Sequence, residues 1–222
     1  MDIGSTLALM LGSAWASGIN LYATIFTLGL MNNTDTLPLP GDLQMLGEPL
    51  VMTAAWVMYL VEFFADKIPG VDTLWDTLHT FIRIPAGAML AAGTVGDMGP
   101  AAELAALLVG GSLTTATHAA KSGTRVMINT SPEPFSNWGA SITEDLSVFT
   151  GLWAALNHPI LFLVLMVLFI LLLIWLLPKV WRGVKKVFAF FGRLFSGGEK
   201  DKHDDNSDPP DGERPAGKGG DG

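Results

Sequence analysis

Apolar residues gather into six long segments, at about 4–31, 49–66, 72–95, 101–129, 135–156 and 160–177, separated by short polar or Pro/Gly-bearing joints. The last runs from Ile160 to Leu177, ILFLVLMVLFILLLIWLL, without a charge. At about 1.5 Å per residue it nearly crosses a hydrocarbon core of roughly 30 Å. Ile3 to Thr34 is also uncharged and long enough to span. The acidic opening MDIGST has no basic n-region, and the stretch after it is too long for a signal-peptide core, so a retained first helix is expected. The pattern predicts an all-α polytopic membrane protein.

Within these segments the polar residues recur at three- and four-residue steps, which places them on single helix faces. The first segment carries Ser13, Ser17, Asn20, Thr24 and Thr27. The second carries Glu62 and Asp66; the third, Asp72, Asp76, His79 and Arg83. The fourth carries His118, Lys121, Arg125 and Asn129; the fifth, Asn137, Ser141, Glu144 and Asp145. An ionised side chain at a bilayer centre costs upward of about 2.5 kcal/mol, so such residues face protein or a water-filled cavity. Five faces that must avoid lipid are expected to face one another.

The third and fifth segments differ from the rest. Each follows a Pro-containing turn, and each holds residues that interrupt helices: Pro85 and Gly87 in one, Thr150 and Gly151 in the other. A shift of 63 residues lays ADKIPGVDTLW on INTSPEPFSNW, with Asp66 on Asn129, Pro69 on Pro132, Trp75 on Trp138 and Glu62 on Arg125. If both interrupted segments re-enter without crossing, the repeat halves at about 49–95 and 112–156 are inverted about the membrane plane. If both cross, the halves are parallel. The expected fold is the first: four full transmembrane helices, two re-entrant helical hairpins and an inverted pseudo-repeat, an architecture of transporters.

Composition and charge extend the picture. Half of the 222 residues are hydrophobic, 15% are charged, and mean hydropathy is +0.41. Residues 1–178 form the expected membrane domain and hold thirteen Asp/Glu against four bases, whereas nine bases follow Pro178. Lys179, Arg182, Lys185, Lys186 and Arg193 place the C-terminus in the cytoplasm by the positive-inside bias, and the four-span count brings the N-terminus to the same side. Residues 179–196 alternate these bases with aromatic and β-branched residues, predicting an interfacial amphipathic helix on anionic lipid. The polar 197–222 segment is expected to be a disordered tail. Nothing in the pattern suggests nucleic acid as a partner. The chain has no cysteine. Gly110 and Gly111 among small residues suit close helix packing, including across a homodimer.

The blocks GSAWASGINLYAT, VEFFADKIPGVDTLWDTLHTFIRIPAGA and INTSPEPFSNWGASITED resemble the bacterial membrane family known as domain of unknown function 4126, over about residues 8–177. That resemblance implies a bacterial inner-membrane location and no assigned activity. FIRIPAG, 81–87, is locally similar to the Arg/Pro/Gly re-entrant motif of DedA-type proteins, which implies lipid-carrier transport; Ala86 between Pro and Gly, and a single arginine, depart from that pattern.

Enzymatic chemistry finds little footing. Asp72, Asp76 and His79 share one face and can offer three ligands to a metal, but there is no HExxH, and His118 and His158 lack a second ligand at i+4. There is no G-x-S-x-G elbow. The reading is a non-enzymatic protein without metal or cofactor, passing a small ion or solute through a midplane site. Its pathway residues are Asn20, Glu62, Asp66, Asp72, Asp76, His79, Arg83, His118, Lys121, Arg125, Asn129, Asn137, Glu144 and Asp145, and proton coupling is open to the buried carboxylates. A lipid-phosphate carrier and a non-transporting scaffold are the alternatives.

Overall fold

The computed structural model describes residues 1–34, 36, 38–130 and 135–196. The 197–222 tail and the Ser131–Pro134 part of the repeat lie outside the described residues. Among the described residues the chain is helical throughout: α1 (Ile3–Ile19), α2 (Leu21–Asn33), α3 (Pro49–Ala65), α4 (Val71–Gly93), α5 (Pro100–Ile128), α6 (Phe135–Asn157) and α7 (Pro159–Ser196), with 3-10 turns at Gly41–Gly47 and Gly96–Met98.

Side-chain neighbours fix the directions. Thr80 meets His118, Gly87 meets Thr114 and Ala91 meets Gly110, so α4 and α5 are antiparallel. Glu62 and Asp66 meet Lys121 while Asp66 also meets Arg125, so α3 runs with α5. Asn20 meets Asp145 and Trp15 meets Gly151, so α6 opposes α1. The α3–α4 turn and Asn129 thus share one end of the bundle, the polar end. The two 3-10 turns share the other, the distal end, where Leu43 packs on Gly93 and Asp42 on Gly96.

Three expectations change here. The first segment is two helices: Asn20 is extended (φ −145, ψ 100), closes α1 as its C-cap and opens α2 as its N-cap, its side chain accepting from Ala23 N at 3.0 Å. α2 then runs back toward the distal end, where Gly29 packs against Leu46 and Asn33 donates to the Gly47 carbonyl at 2.7 Å. The fold-back therefore lies in the first segment. Second, α4 and α6 are unbroken and run the length of the bundle, through Pro85 and through Thr150–Gly151. With α4 traversing fully, the α3–α4 and α5–α6 halves point the same way, and the pseudo-repeat is parallel rather than inverted. Third, residues 179–196 are not a separate helix but continue α7 through Pro178. Met1 lies beside Pro38–Pro40 and Asp97 at the distal end, whereas Gly183 lies on Met127 near the polar end. Met1 and Gly183 thus lie at opposite ends of the bundle.

The 63-residue shift is visible in the elements. Ala65 and Ile128 end α3 and α5, and their C-caps Asp66 and Asn129 share one conformation (φ −63, ψ −14 and φ −66, ψ −7). Beyond the joint the buried faces match at a shift of 65, pairing Asp72 with Asn137, Asp76 with Ser141, Gly87 with Leu152 and Leu90 with Ala155.

Alongside its apolar core, the chain departs from the burial pattern of a water-soluble protein at both surface and interior. Leu50, Trp56, Phe64, Leu74, Phe81, Met89, Leu104, Ile142 and Leu146 are exposed, while Glu62, Asp76, Arg83 and Arg125 are buried. By length and composition α7 is the one helix, among the described residues, able to cross a membrane by itself; the Gly41–Gly47 turn and α3, bent by 65°, pass together. Gly110, expected at a close helix contact, packs within the chain against Ala91 of α4 and Ala14 of α1.

Gly99 opens α5 at φ 100, ψ 167, a region open essentially to glycine. Gly99→Ala is expected to cost about 1–3 kcal/mol, read as a lower thermal midpoint in detergent.

Candidate functional site

α3, α4, α5 and α6 each turn their polar face inward, and the faces meet as a single ion network. Lys121 is its hub. Its ammonium donates to Asp66 Oδ2 at 2.9 Å and Glu62 Oε1 at 3.2 Å, and stands 3.5 Å from Glu144 and 3.7 Å from Asp76. Arg83 donates to Glu62 at 2.6 Å and Asp76 at 3.2 Å. Arg125 holds Glu144 through Nε and Nη2 at 3.2 and 2.6 Å, and donates through Nη1 to the carbonyls of Asp66 and Asn137. Three cations therefore face four carboxylates, with Glu62 and Arg125 at zero exposure.

Arg83 and Glu144, on the two segments expected to be interrupted, do not pair. Helix spacing gives a residue's face but not the neighbour that face meets, and it is Arg125 that reaches α6. The third segment's own stripe also divides. Asp72 stays at the polar end, where Oδ1 accepts from Gly70 N, Thr73 N, Thr73 Oγ1 and Asn129 Nδ2. Asn137 continues that chain by donating to Asn129 at 2.7 Å. His79 stays outside the ion pairs, stacked on Trp75 at 3.9 Å with Tyr22 edge-on. Asp72, Asp76 and His79 thus serve three separate environments, and no group of three or more His, Asp or Glu among the described residues is placed to hold a metal ion.

His118 is read by its neighbours. Arg83 Nη1 stands 3.1 Å from Nδ1, which must accept; Nε2 then carries the proton and donates to Thr80 Oγ1 at 2.8 Å. A neutral imidazole results. Thr80 passes the chain to the Asp76 carbonyl at 2.8 Å.

The network meets the α1–α2 break. Lys121 donates to the Ile19 carbonyl at 3.0 Å, at the negative end of α1, and Asn20 donates to Asp145 Oδ1 at 3.0 Å beside the positive end of α2. Tyr59 donates to Asp145 Oδ2 at 3.4 Å. Sequence reasoning missed Tyr59 and the part played by Lys67. The latter lies over the Phe63 ring at 2.9 Å, donates to Ser141 Oγ at 3.3 Å, and is held below the usual lysine pKa by burial. Both fall on helical steps from Glu62 and Phe63, which was the available signal.

Glu62 Oε2, Asp66 Oδ1, Asp76 Oδ2 and Arg83 Nε are buried with no hydrogen-bond partner among the described residues. Toward the distal end polar side chains give way to Leu9, Leu28, Leu43, Leu90 and Leu152, with Met10, Val95 and Ala106 alongside. Beyond this apolar layer a cavity of about 650 Å³ opens, lined by Thr6, Met10, Pro40, Thr94 and Asp97 among others. Glu144 is the least buried member of the network, with a side chain 20% exposed.

FIRIPAG lies inside unbroken α4, so no re-entrant turn accompanies its likeness to the DedA motif. Comparison with curated proteins and with solved structures returns no match. The family model described as a domain of unknown function, DUF4126, matches residues 7–179, and the chain therefore belongs to that family.

Proposed function

We propose that this is a polytopic inner-membrane protein that passes a small ion or solute between the polar and distal ends of its bundle. The observation that carries the reading is the ion network, which enters from the polar end, stops half-way against the ends of a broken helix, and is separated by an apolar layer from a cavity at the other end. Lipid as the outer solvent accounts for the exposed apolar faces of α3 to α7, since charge is tolerated in a membrane only where it faces protein. Discontinuous helices whose ends meet charge at mid-depth are a recurring basis of transport sites. In this reading α1–α2 is the re-entrant hairpin, α3 to α7 cross, and the basic C-terminal part of α7 puts the polar end in the cytoplasm.

Two other readings fit less well. A lipid-phosphate carrier needs a cation free to meet phosphate, yet Arg83, Lys121 and Arg125 each hold a carboxylate within 3 Å. A scaffold gains little from buried ion pairs, because apolar residues of like volume do as well or better.

The test is flux in reconstituted vesicles carrying an internal pH dye or an ion indicator. Wild-type protein is expected to dissipate an imposed gradient, and Glu144→Gln and Arg83→Ala to fall to the level of protein-free vesicles. Flux unchanged in both variants would remove the network from the path.

A further inference from the structure

The buried carboxylates are treated in three ways. Glu62, Asp66, Asp76 and Glu144 each lie within 4 Å of a cation. Asp72 has no cation that close among the described residues but is saturated by two backbone N–H groups, a hydroxyl and an amide. Asp145 has neither. It is 8% exposed, forms no ion pair among the described residues, and accepts one neutral amide bond at 3.0 Å and one long hydroxyl contact at 3.4 Å. Of the buried carboxylates it is thus the one whose negative charge the surrounding protein offsets least.

We propose that Asp145 is the proton-binding site of this protein, and that its protonation loosens the α1–α2 tip from α6. The proton adds to Oδ2, whose one hydrogen-bond partner among the described residues is the long Tyr59 contact. The resulting carboxylic acid can donate to Tyr59 Oη, and no covalent bond breaks. Protonation also removes the charge from the bond that Asn20 Nδ2 makes to Oδ1. Charge-assisted bonds are roughly twice as strong as neutral ones, so the N-cap of α2 is held less firmly. The second tie at the tip, from Lys121 to the Ile19 carbonyl, is unaffected.

The groups around Asp145 set its field. α3 presents Tyr59, Glu62 and Asp66, with Lys67 just past its end; α5 presents Lys121; Glu144 is its neighbour on α6. Glu62 and Asp66 oppose a negative charge at Asp145, while Lys67 and Lys121 favour it. Lys121 already stands within 4 Å of four other carboxylates. The coupling consequence rests on the transport reading; the site does not.

The test is infrared difference spectroscopy of the full chain in lipid nanodiscs across a pH titration, watching the carbonyl stretch of a protonated carboxyl and its shift in deuterated water. The wild type is expected to show a titrating band that is absent in Asp145→Asn, a change that keeps the size and both polar contacts. Tyr59→Phe removes a charge-assisted bond from the ionised form and only a neutral one from the protonated form, so its band should persist with the midpoint moved to higher pH. No titrating band in the wild type, a band intact in Asp145→Asn, or a Tyr59→Phe midpoint that does not move would each overturn the proposal. Vesicle flux separates the two readings. A band owned by Asp145 in a protein without flux leaves the proton site standing and removes transport. Flux in a protein whose band survives Asp145→Asn does the reverse.

Discussion

Lys121→Met is expected to cost about 3–5 kcal/mol of stability, the loss seen when one member of a buried ion pair is removed. Methionine nearly matches the lysine stem in volume, so little of the effect comes from a cavity. The cost is electrostatic. With Lys121 gone, Arg83 and Arg125 alone face Glu62, Asp66, Asp76 and Glu144, and Asp66 keeps only the 3.6 Å contact to Arg125. The Ile19 carbonyl also loses its side-chain donor at the α1 end. Unfolding in mixed micelles, followed by circular dichroism against rising denaturing detergent, should show the shift. Adding Asp66→Asn removes one uncompensated charge, so the double variant is expected to recover part of the loss, a coupling that only contacting groups show. A single variant as stable as wild type would mean that Lys121 is not the hub.

The residues of this network were legible as helix faces, because three- and four-residue steps of polar side chains in an apolar background have one physical solution. Arg83, Lys121, Arg125, Glu62 and Asp66 were all found that way. Partners were not legible. Glu62 and Arg125 occupy equivalent places in the repeat, which suggests a facing pair, but Arg125 reaches Glu144 and it is Arg83 that takes Glu62. The breaks were misplaced for a related reason. Pro85 removes one backbone hydrogen bond, yet α4 stays helical where Gly87, Ala88 and Ala91 pack closely on α5. Asn20 breaks a helix without proline. Its signal was chemical and local: an asparagine, favoured at N-caps, two residues after a glycine. A periodicity that runs evenly through Ser17, Asn20 and Thr24 hides it. The Trp75–Trp138 identity was misleading as well, since the buried faces of α4 and α6 match two residues further on.

Gly18 is where that break is held in place, and Gly18→Leu is expected to destabilise the protein by about 3 kcal/mol or more, with Gly18→Ala nearer 1–2 kcal/mol. A Cβ at Gly18 would stand 2.7 Å from Thr117 Cβ and 2.8 Å from the Thr114 carbonyl oxygen. Neither neighbour is the movable end of a side chain, so α1 and α5 must separate. In the membrane setting proposed above, no hydrophobic force closes them again, because helix association in lipid depends on close packing. The separation acts on the site as well as on stability. Gly18 is one residue from Ile19, whose carbonyl takes the Lys121 bond, and two from Asn20, which holds Asp145. On the transport reading proposed above, Gly18→Ala is therefore expected to reduce flux in vesicles even where enough folded protein survives for reconstitution. Gly139, with nothing among the described residues within 4 Å of an added Cβ, is the matched control: Gly139→Ala should leave both stability and flux near wild type. Equal behaviour of the two alanine variants would show that the α1–α5 crossing does not govern the tip.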